Sequence, residues 1–161
     1  MLDQHVTHAD GWEYCHVQYS EADHWLLATW KGVVTTQDGQ YGAAKMLRLP
    51  DLPQVPYLLN DNSQVQGPWF DSVDWLQRIW APQAGQLGLR YVAHVLQPHT
   101  EDDLGLLLRQ NLFANKFELQ FFTNLTDAAN WLRDCQRLDA QRGQAWPLST
   151  AETVPEEESK K

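Results

Sequence analysis

Three consecutive polar residues, Asn60, Asp61 and Asn62, follow the apolar run Tyr57-Leu58-Leu59, and His94 sits near the end of a second apolar run, Leu89 to Leu96. A carboxylate and an imidazole near one edge of a sheet could do acid–base chemistry, the carboxylate orienting the ring and the ring moving a proton. Asp61 with His94 is the one such pair the sequence offers. No nucleophile elbow, P-loop, G-x-G-x-x-G or zinc spacing accompanies it, so the expectation is a protein that is not an enzyme and holds no cofactor. Two other uses remain for Asn60, Asp61 and Asn62. They could satisfy backbone groups in a tight turn, which Asn and Asp do well. They could also stand at the mouth of a ligand cleft, because ligands of open α/β sheets sit at the carboxyl ends of the strands.

Other residues offer weaker chemistry. His5 and His8 have the H-x-x-H spacing, but a metal site needs three or four converging ligands, so no metal is expected there. His16 and His24 could lie near one sheet edge as solvated strand histidines. Cys15 and Cys135 are far apart in sequence and are expected to be two buried, reduced thiols.

The elements that must position these groups are legible as alternating patterns. Glu13 to Tyr19 and His24 to Lys31 read as two strands of an antiparallel hairpin. Thr35 to Asp38 has the form of a capping box opening a helix over about 36–49. Gly39 and Gly42 each weaken that helix by about 1 kcal/mol relative to Ala, but let it lie close to a sheet or partner. Tyr57 to Leu59 reads as a short central strand. A tryptophan-rich helix is expected from Pro68 to Ala81, bent or stopped by Pro82, with a further short turn to Gly85 or Gly88. At ~100° per residue, Trp69, Val73, Leu76 and Trp80 share its core face and Asp71, Asp74 and Arg78 face water. Trp75 and Ile79 fall on the flank, where an aromatic anchor could meet a partner. Leu89 to Leu96 is a fourth strand. Leu104, Leu107, Leu108 and Leu112 mark a helix, Phe117 to Thr123 a fifth strand, and Asn124 caps a last helix that turns Ala128, Trp131, Leu132 and Cys135 inward.

The pattern β-β-α-β-α-β-α-β-α predicts an α/β fold with a mixed sheet of about five strands. Residues 1–12 read as a flexible lead-in, 13–137 as a single domain and 138–161 as a polar, disordered tail. A net charge of −9 argues against nucleic acid, since an acidic surface repels phosphates. No window reaches the ~18 apolar residues of a transmembrane segment, and the polar N-terminus carries no apolar signal core. A cytoplasmic location is the expectation. Eight tryptophans in 161 residues exceed what one small core needs, which points some of them to a contact surface.

The Trp30-Lys31-Gly32 turn, the stretch from Leu58 to Trp69 (LLNDNSQVQGPW), the segment from Gly88 to Val95 (GLRYVAHV) and the closing F-x-x-x-x-A-A-x-W-L of Phe122 to Leu132 together resemble the bacterial SpoIIAA-like proteins. These are relatives of the STAS (anti-sigma-factor antagonist) and Sec14-like domains. The resemblance spans roughly residues 13–135. It implies a SpoIIAA-like fold with helices packed mainly on one face of the sheet, and a non-enzymatic binding or regulatory module. The STAS phosphorylation switch uses an Asp-Ser pair at a helix start, which would fall near Trp69-Phe70, where no hydroxyl stands. The switch is therefore not expected to carry over, leaving Ser63 and Ser72 as weak candidates. Two functions follow from these readings: contact with a protein partner or a second copy in a homodimer, or binding of an apolar small molecule or lipid between the tryptophan helix and the sheet. Asn60, Asp61, Asn62, Trp69, Trp75, Ile79 and His94 are the candidate contact residues.

Overall fold

The computed structural model describes residues 2–48, 54–67, 73–98 and 116–143. Among the described residues, six strands form one mixed sheet in sequential order: β1 (Asp3–Thr7), β2 (Glu13–Ser20), β3 (Trp25–Val33), β4 (Tyr57–Gln66), β5 (Tyr91–Val95) and β6 (Glu118–Phe122). The first three pair antiparallel, and β3 to β6 run parallel. The helices are α1 (Thr36–Met46), a tryptophan helix made of α2 (Val73–Trp75), a π turn (Leu76–Trp80) and α3 (Ala81–Gln86), and a C-terminal α4 (Leu125–Gln141). The leucine helix expected around 104–112 lies outside the described residues.

The five expected strands are present as β2 to β6, with three departures from the sequence reading. Residues 3–7, expected to be a loose lead-in, form the edge strand β1. Its pattern was faint because an edge strand needs to bury only one face, and Val6 alone within it is buried. The third expected strand does not stop at Leu59. It continues to Gln66, held by parallel pairing of Val33 with Gln66 at its far end. The last helix runs past residue 138 to Gln141, so the body of the domain extends beyond the expected boundary.

The sequential strand order explains where the helices go. Parallel crossovers share one hand, so crossovers that step in one direction stack on one face. Accordingly α1 and the tryptophan helix lie together, over a core that includes Leu26, Ala28, Trp30, Leu58 and Val92. The C-terminal α4 follows the last strand, is free of that rule, and covers the opposite face of β4, β5 and β6. There Ala128, Leu132 and Cys135 meet Tyr57, Leu59, Tyr91, Ala93 and Val95. Two of the three described helical units therefore share a face.

Local signals behave as expected at both helix starts. Thr35 Oγ1 accepts from the Asp38 N–H at 3.2 Å, and Asp38 Oδ2 accepts from the Thr35 N–H at 3.1 Å. Asn124 Oδ1 accepts from the Asp127 N–H at 2.9 Å. Of the two outcomes expected at Pro82, a bend or a stop, the helix does not stop but continues to Gln86. A proline ring clashes with the carbonyl four residues back in a regular α-helix. The π turn just before it relieves this by re-spacing the backbone, and the Ala81 N–H bonds five residues back, to Leu76 O.

Gly42 sets how closely α1 approaches the sheet. A Cβ added there would stand 2.7 Å and 2.9 Å from two Trp30 ring atoms. Trp30 is itself pinned by its Nε1–H bond to Asn60, so it cannot move aside cheaply. Gly42→Ala is expected to destabilise the fold by about 1–3 kcal/mol, an overpacking cost that outweighs the gain in helix propensity. Urea unfolding followed by circular dichroism checks it, and a stabilised variant would show that the approach is not tight.

Candidate functional site

The alternation of β4 sorts the candidate residues onto two faces. Leu58, Asn60 and Asn62 point to the α1 side, while Tyr57, Leu59 and Asp61 point to the α4 side. On β5, His94 stands beside Asn60 in register, and Asp61 beside Val95. Asp61 and His94 thus face opposite sides of the sheet, and the acid–base pair drawn from the sequence does not form. Nor do the three polar residues form a turn. They lie inside β4, level with the end of β5. A period-two strand separates neighbours that a string of letters places side by side.

What does form on the α1 side is a hydrogen-bonded chain. Trp30 Nε1–H donates to Asn60 Oδ1 at 2.8 Å. That bond fixes which end of the Asn60 amide is oxygen. Its Nδ2 then faces Asn62 Oδ1 at 3.2 Å and His94 Nδ1 at 3.0 Å. An amide N–H can donate to Nδ1 only if that nitrogen carries a lone pair, so His94 is neutral with its proton on Nε2. Burial agrees, pulling the His94 pKa down from its ordinary 6.5 to about 4. A neutral imidazole whose acceptor nitrogen is already engaged is a positioned packing group at pH 7 rather than a ready base. Phe121 closes on the ring edge-to-face at 5.4 Å. Asp61 has its own local partner, accepting from the Ser63 N–H at 2.9 Å. Ser63 is half-buried within β4. Trp69 and Ser72 lie outside the described residues.

The sequential sheet order also bears on where a ligand could sit. The crevice that binds ligands in open α/β sheets arises where the strand order reverses. Here the order runs from β1 to β6 without reversal. A small apolar pocket between α1, the tryptophan helix and the sheet is lined by Leu26, Met46, Val55, Leu58, Trp80 and Leu89. Its cavity volume of about 20 Å³ is no more than the space of one water. That falls far short of the roughly 300 Å³ from which ligand pockets start.

The described part of the tryptophan helix has a buried side and an exposed side. Trp80 is buried, and its Nε1–H donates to Ala43 O of α1 at 2.8 Å. Asp74 and Arg78 face water as a salt bridge of 2.6 Å. Trp75 is half-buried and packs on the core, while Ile79, one turn on, is 47% exposed. The most exposed tryptophan among the described residues is Trp12, in the β1–β2 turn, which the sequence reading passed over.

Sequence reasoning also missed a second polar centre, at the amino ends of β4 and β5. Asp139 of α4 is 0% exposed and accepts from Tyr57 Oη at 2.8 Å, Tyr91 Oη at 3.1 Å, and Arg90 through two nitrogens at 3.0 and 3.3 Å. The two tyrosine rings stack at 5.6 Å. Burial first, and the Asp139 carboxylate second, push both phenols up from their ordinary pKa, so they remain protonated donors. The stripe Ala128, Leu132, Cys135, Asp139 recurs at i, i+4, i+7 and i+11, and its continuation was the available signal. Cys15 and Cys135 are free, buried in the two separate cores, and burial raises each thiol to about 12. Neither is a reactive thiolate at neutral pH.

Among solved structures, the chain is similar to an uncharacterised protein of the DUF3478 family from Shewanella loihica PV-4. The two share 20% identity and a TM-score of 0.48, over 82% of this chain and 96% of that one. That protein is described as having a SpoIIAA-like fold, the fold that the sequence motifs imply. No protein-family model matches the chain, and no curated protein does. No described helix is long and apolar enough to cross a membrane.

Proposed function

We propose that the protein is a non-enzymatic binding or regulatory module that works by protein–protein contact through the flank of its tryptophan helix. One observation carries this reading: Ile79 is 47% exposed beside a half-buried Trp75, while the other large apolar side chains described on that helix, Leu76 and Trp80, pack on the core. The Asp74–Arg78 salt bridge runs along the same helix as a charged border. An apolar centre with a polar rim is the anatomy of a protein interface. The π turn carries Ile79, and such turns recur at functional positions because they re-aim side chains.

Native mass spectrometry of the chain purified gently from its host tests this. A dimer, or a complex with another protein, is the expected result. Ile79→Asp is expected to disperse it with at least a tenfold loss of affinity, since a carboxylate cannot be desolvated there without a partner. A co-purifying small mass would instead favour an apolar small molecule or lipid. A bare monomer indifferent to Ile79→Asp would overturn the interface reading.

A further inference from the structure

The most chemically suggestive cluster lies away from the tryptophan helix, on the part of the sheet that α4 leaves uncovered. His5 of β1 stands directly opposite His16 of β2, and Asp3 is two residues before His5 on the same face of its strand. Cys15 and Val17, on either side of His16, belong to the α1-side core, which puts His16 on the other face. All three groups are open to solvent to some degree.

We propose that Asp3, His5 and His16 form a binding site for a divalent transition-metal ion of the zinc type. His16 Nε2 is 2.5 Å from Asp3 Oδ1, and His5 Nε2 is 3.6 Å from the same oxygen. All three donor atoms lie within 4.8 Å of one another. Ligands on one tetrahedral zinc stand about 3.4 Å apart, given bonds of about 2.0–2.2 Å. The Asp3–His5 separation already fits. The Asp3–His16 bond opens by about 1 Å to admit the ion, a rotation that an exposed carboxylate makes freely, and the ion takes the place of the proton that His16 Nε2 shares with Asp3, which passes to water. The two imidazoles are stacked at 4.2 Å and 10° from parallel with both Nε2 toward Asp3. Because each lone pair lies in its ring plane, the rings must tilt out of the stack for both nitrogens to meet one ion, a side-chain rotation open to partly exposed histidines.

Glu13 supplies a second, independent observation. Its Oε2 is hydrogen-bonded to His5 Nδ1, and its Oε1 is held by Lys31 Nζ at 2.7 Å. A carboxylate on Nδ1 keeps the proton on that nitrogen and leaves the Nε2 lone pair free for the site. That carboxylate–histidine–metal order is how proteins orient imidazole ligands. Two nitrogens and one carboxylate oxygen suit zinc, nickel or copper rather than magnesium or calcium, which seek all-oxygen shells. Three protein ligands leave at least one position for water or a further donor. The H-x-x-H spacing pointed at the wrong partner, because His8 belongs elsewhere, 3.3 Å from Asp38 and against the Tyr14 ring.

The test is isothermal titration of the full, untagged chain with zinc chloride. One zinc per chain is expected. His16→Ala is expected to weaken binding at least tenfold, and Glu13→Gln by about tenfold as an outer-sphere loss. His24→Ala, in the β2–β3 turn, is expected to leave binding unchanged. Cobalt in place of zinc is expected to give a visible absorption band that His16→Ala abolishes, while thermal melts of the metal-free variants match the parent chain. The proposal is overturned if the parent chain takes up no zinc at millimolar concentration, if Asp3→Asn and His16→Ala bind it as tightly as the parent, or if magnesium binds equally well.

Discussion

Asp139→Ala is expected to cost about 2–4 kcal/mol of folding free energy, because it takes the acceptor from buried hydrogen-bond donors, at about 1–3 kcal/mol for each one left unsatisfied. The carboxylate is fully enclosed and receives four hydrogen bonds from three residues. Alanine would leave the buried Tyr57 hydroxyl without that acceptor and take the counter-charge from Arg90. Asp139→Asn is nearly isosteric but puts an N–H where a donor already points, so it is expected to lose most of the same energy. Arg90→Met is expected to be damaging in its own right, because it takes the counter-charge from the fully enclosed Asp139 carboxylate and leaves it the two tyrosine hydroxyls as described donors. The clamp joins α4 to the starts of β4 and β5, so its loss is expected to release α4 from the sheet before the rest unfolds. Urea unfolding read by circular dichroism and hydrogen exchange along α4 checks both points. A loss under about 1 kcal/mol, the worth of one ordinary hydrogen bond, would show that the four bonds do not act together.

That centre shows where sequence legibility ended. The apolar stripe of α4 was readable through Cys135, since each inward residue carried its own hydrophobic signal. The next inward position is an aspartate beside an exposed Leu138, and a charged residue near a polar tail reads as solvent. Only the meeting of three distant segments reveals the burial: the strand starts at Tyr57 and at Arg90-Tyr91, and the helix end at Asp139. The same limit split Asn60 from Asp61. Sequence order made Asp61 and His94 a pair, whereas strand pleat gave His94 to Asn60 and Asp61 to the other face. Helix caps at Thr35 and Asn124 were legible because they are closed within four residues. Strand β1 was not, because its single buried residue, Val6, carries no periodicity by itself.

The His94 cluster makes the second large prediction, a stability that falls on acidification for a reason lodged in one ring. In the folded chain the His94 pKa is drawn down to about 4 by burial. In the unfolded chain it returns to about 6.5. Above pH 6.5 both states carry a neutral ring, and His94 adds no pH dependence. Between about 6.5 and 4 the unfolded chain takes up a proton that the native chain refuses, so stability falls with pH. Below about 4 both states are protonated and the loss levels off, at roughly 3 kcal/mol for a shift of about 2.5 units. Asp3 and Glu13 are partnered carboxylates with lowered pKa values, Asp3 chiefly through its bond to His16 and Glu13 chiefly through Lys31, and they add their own acid dependence lower on the scale. The contribution of His94 is isolated by difference. His94→Asn keeps an acceptor near the Nδ1 position for the Asn60 amide but cannot titrate. Its stability at pH 7 is expected to drop through lost packing against Phe121. Its stability between pH 6.5 and 4, however, is expected to be flatter than that of the parent by about 3 kcal/mol over the interval. Denaturant titrations of both chains at half-unit pH steps measure this directly. Parallel curves would mean that the folded ring takes up its proton over the same pH range as the unfolded one, and below that range the Asn60 amide would have to turn its N–H away, breaking its bond from Trp30. The tautomer, the amide orientation and the pH profile therefore stand or fall together, and one set of unfolding curves reads all three.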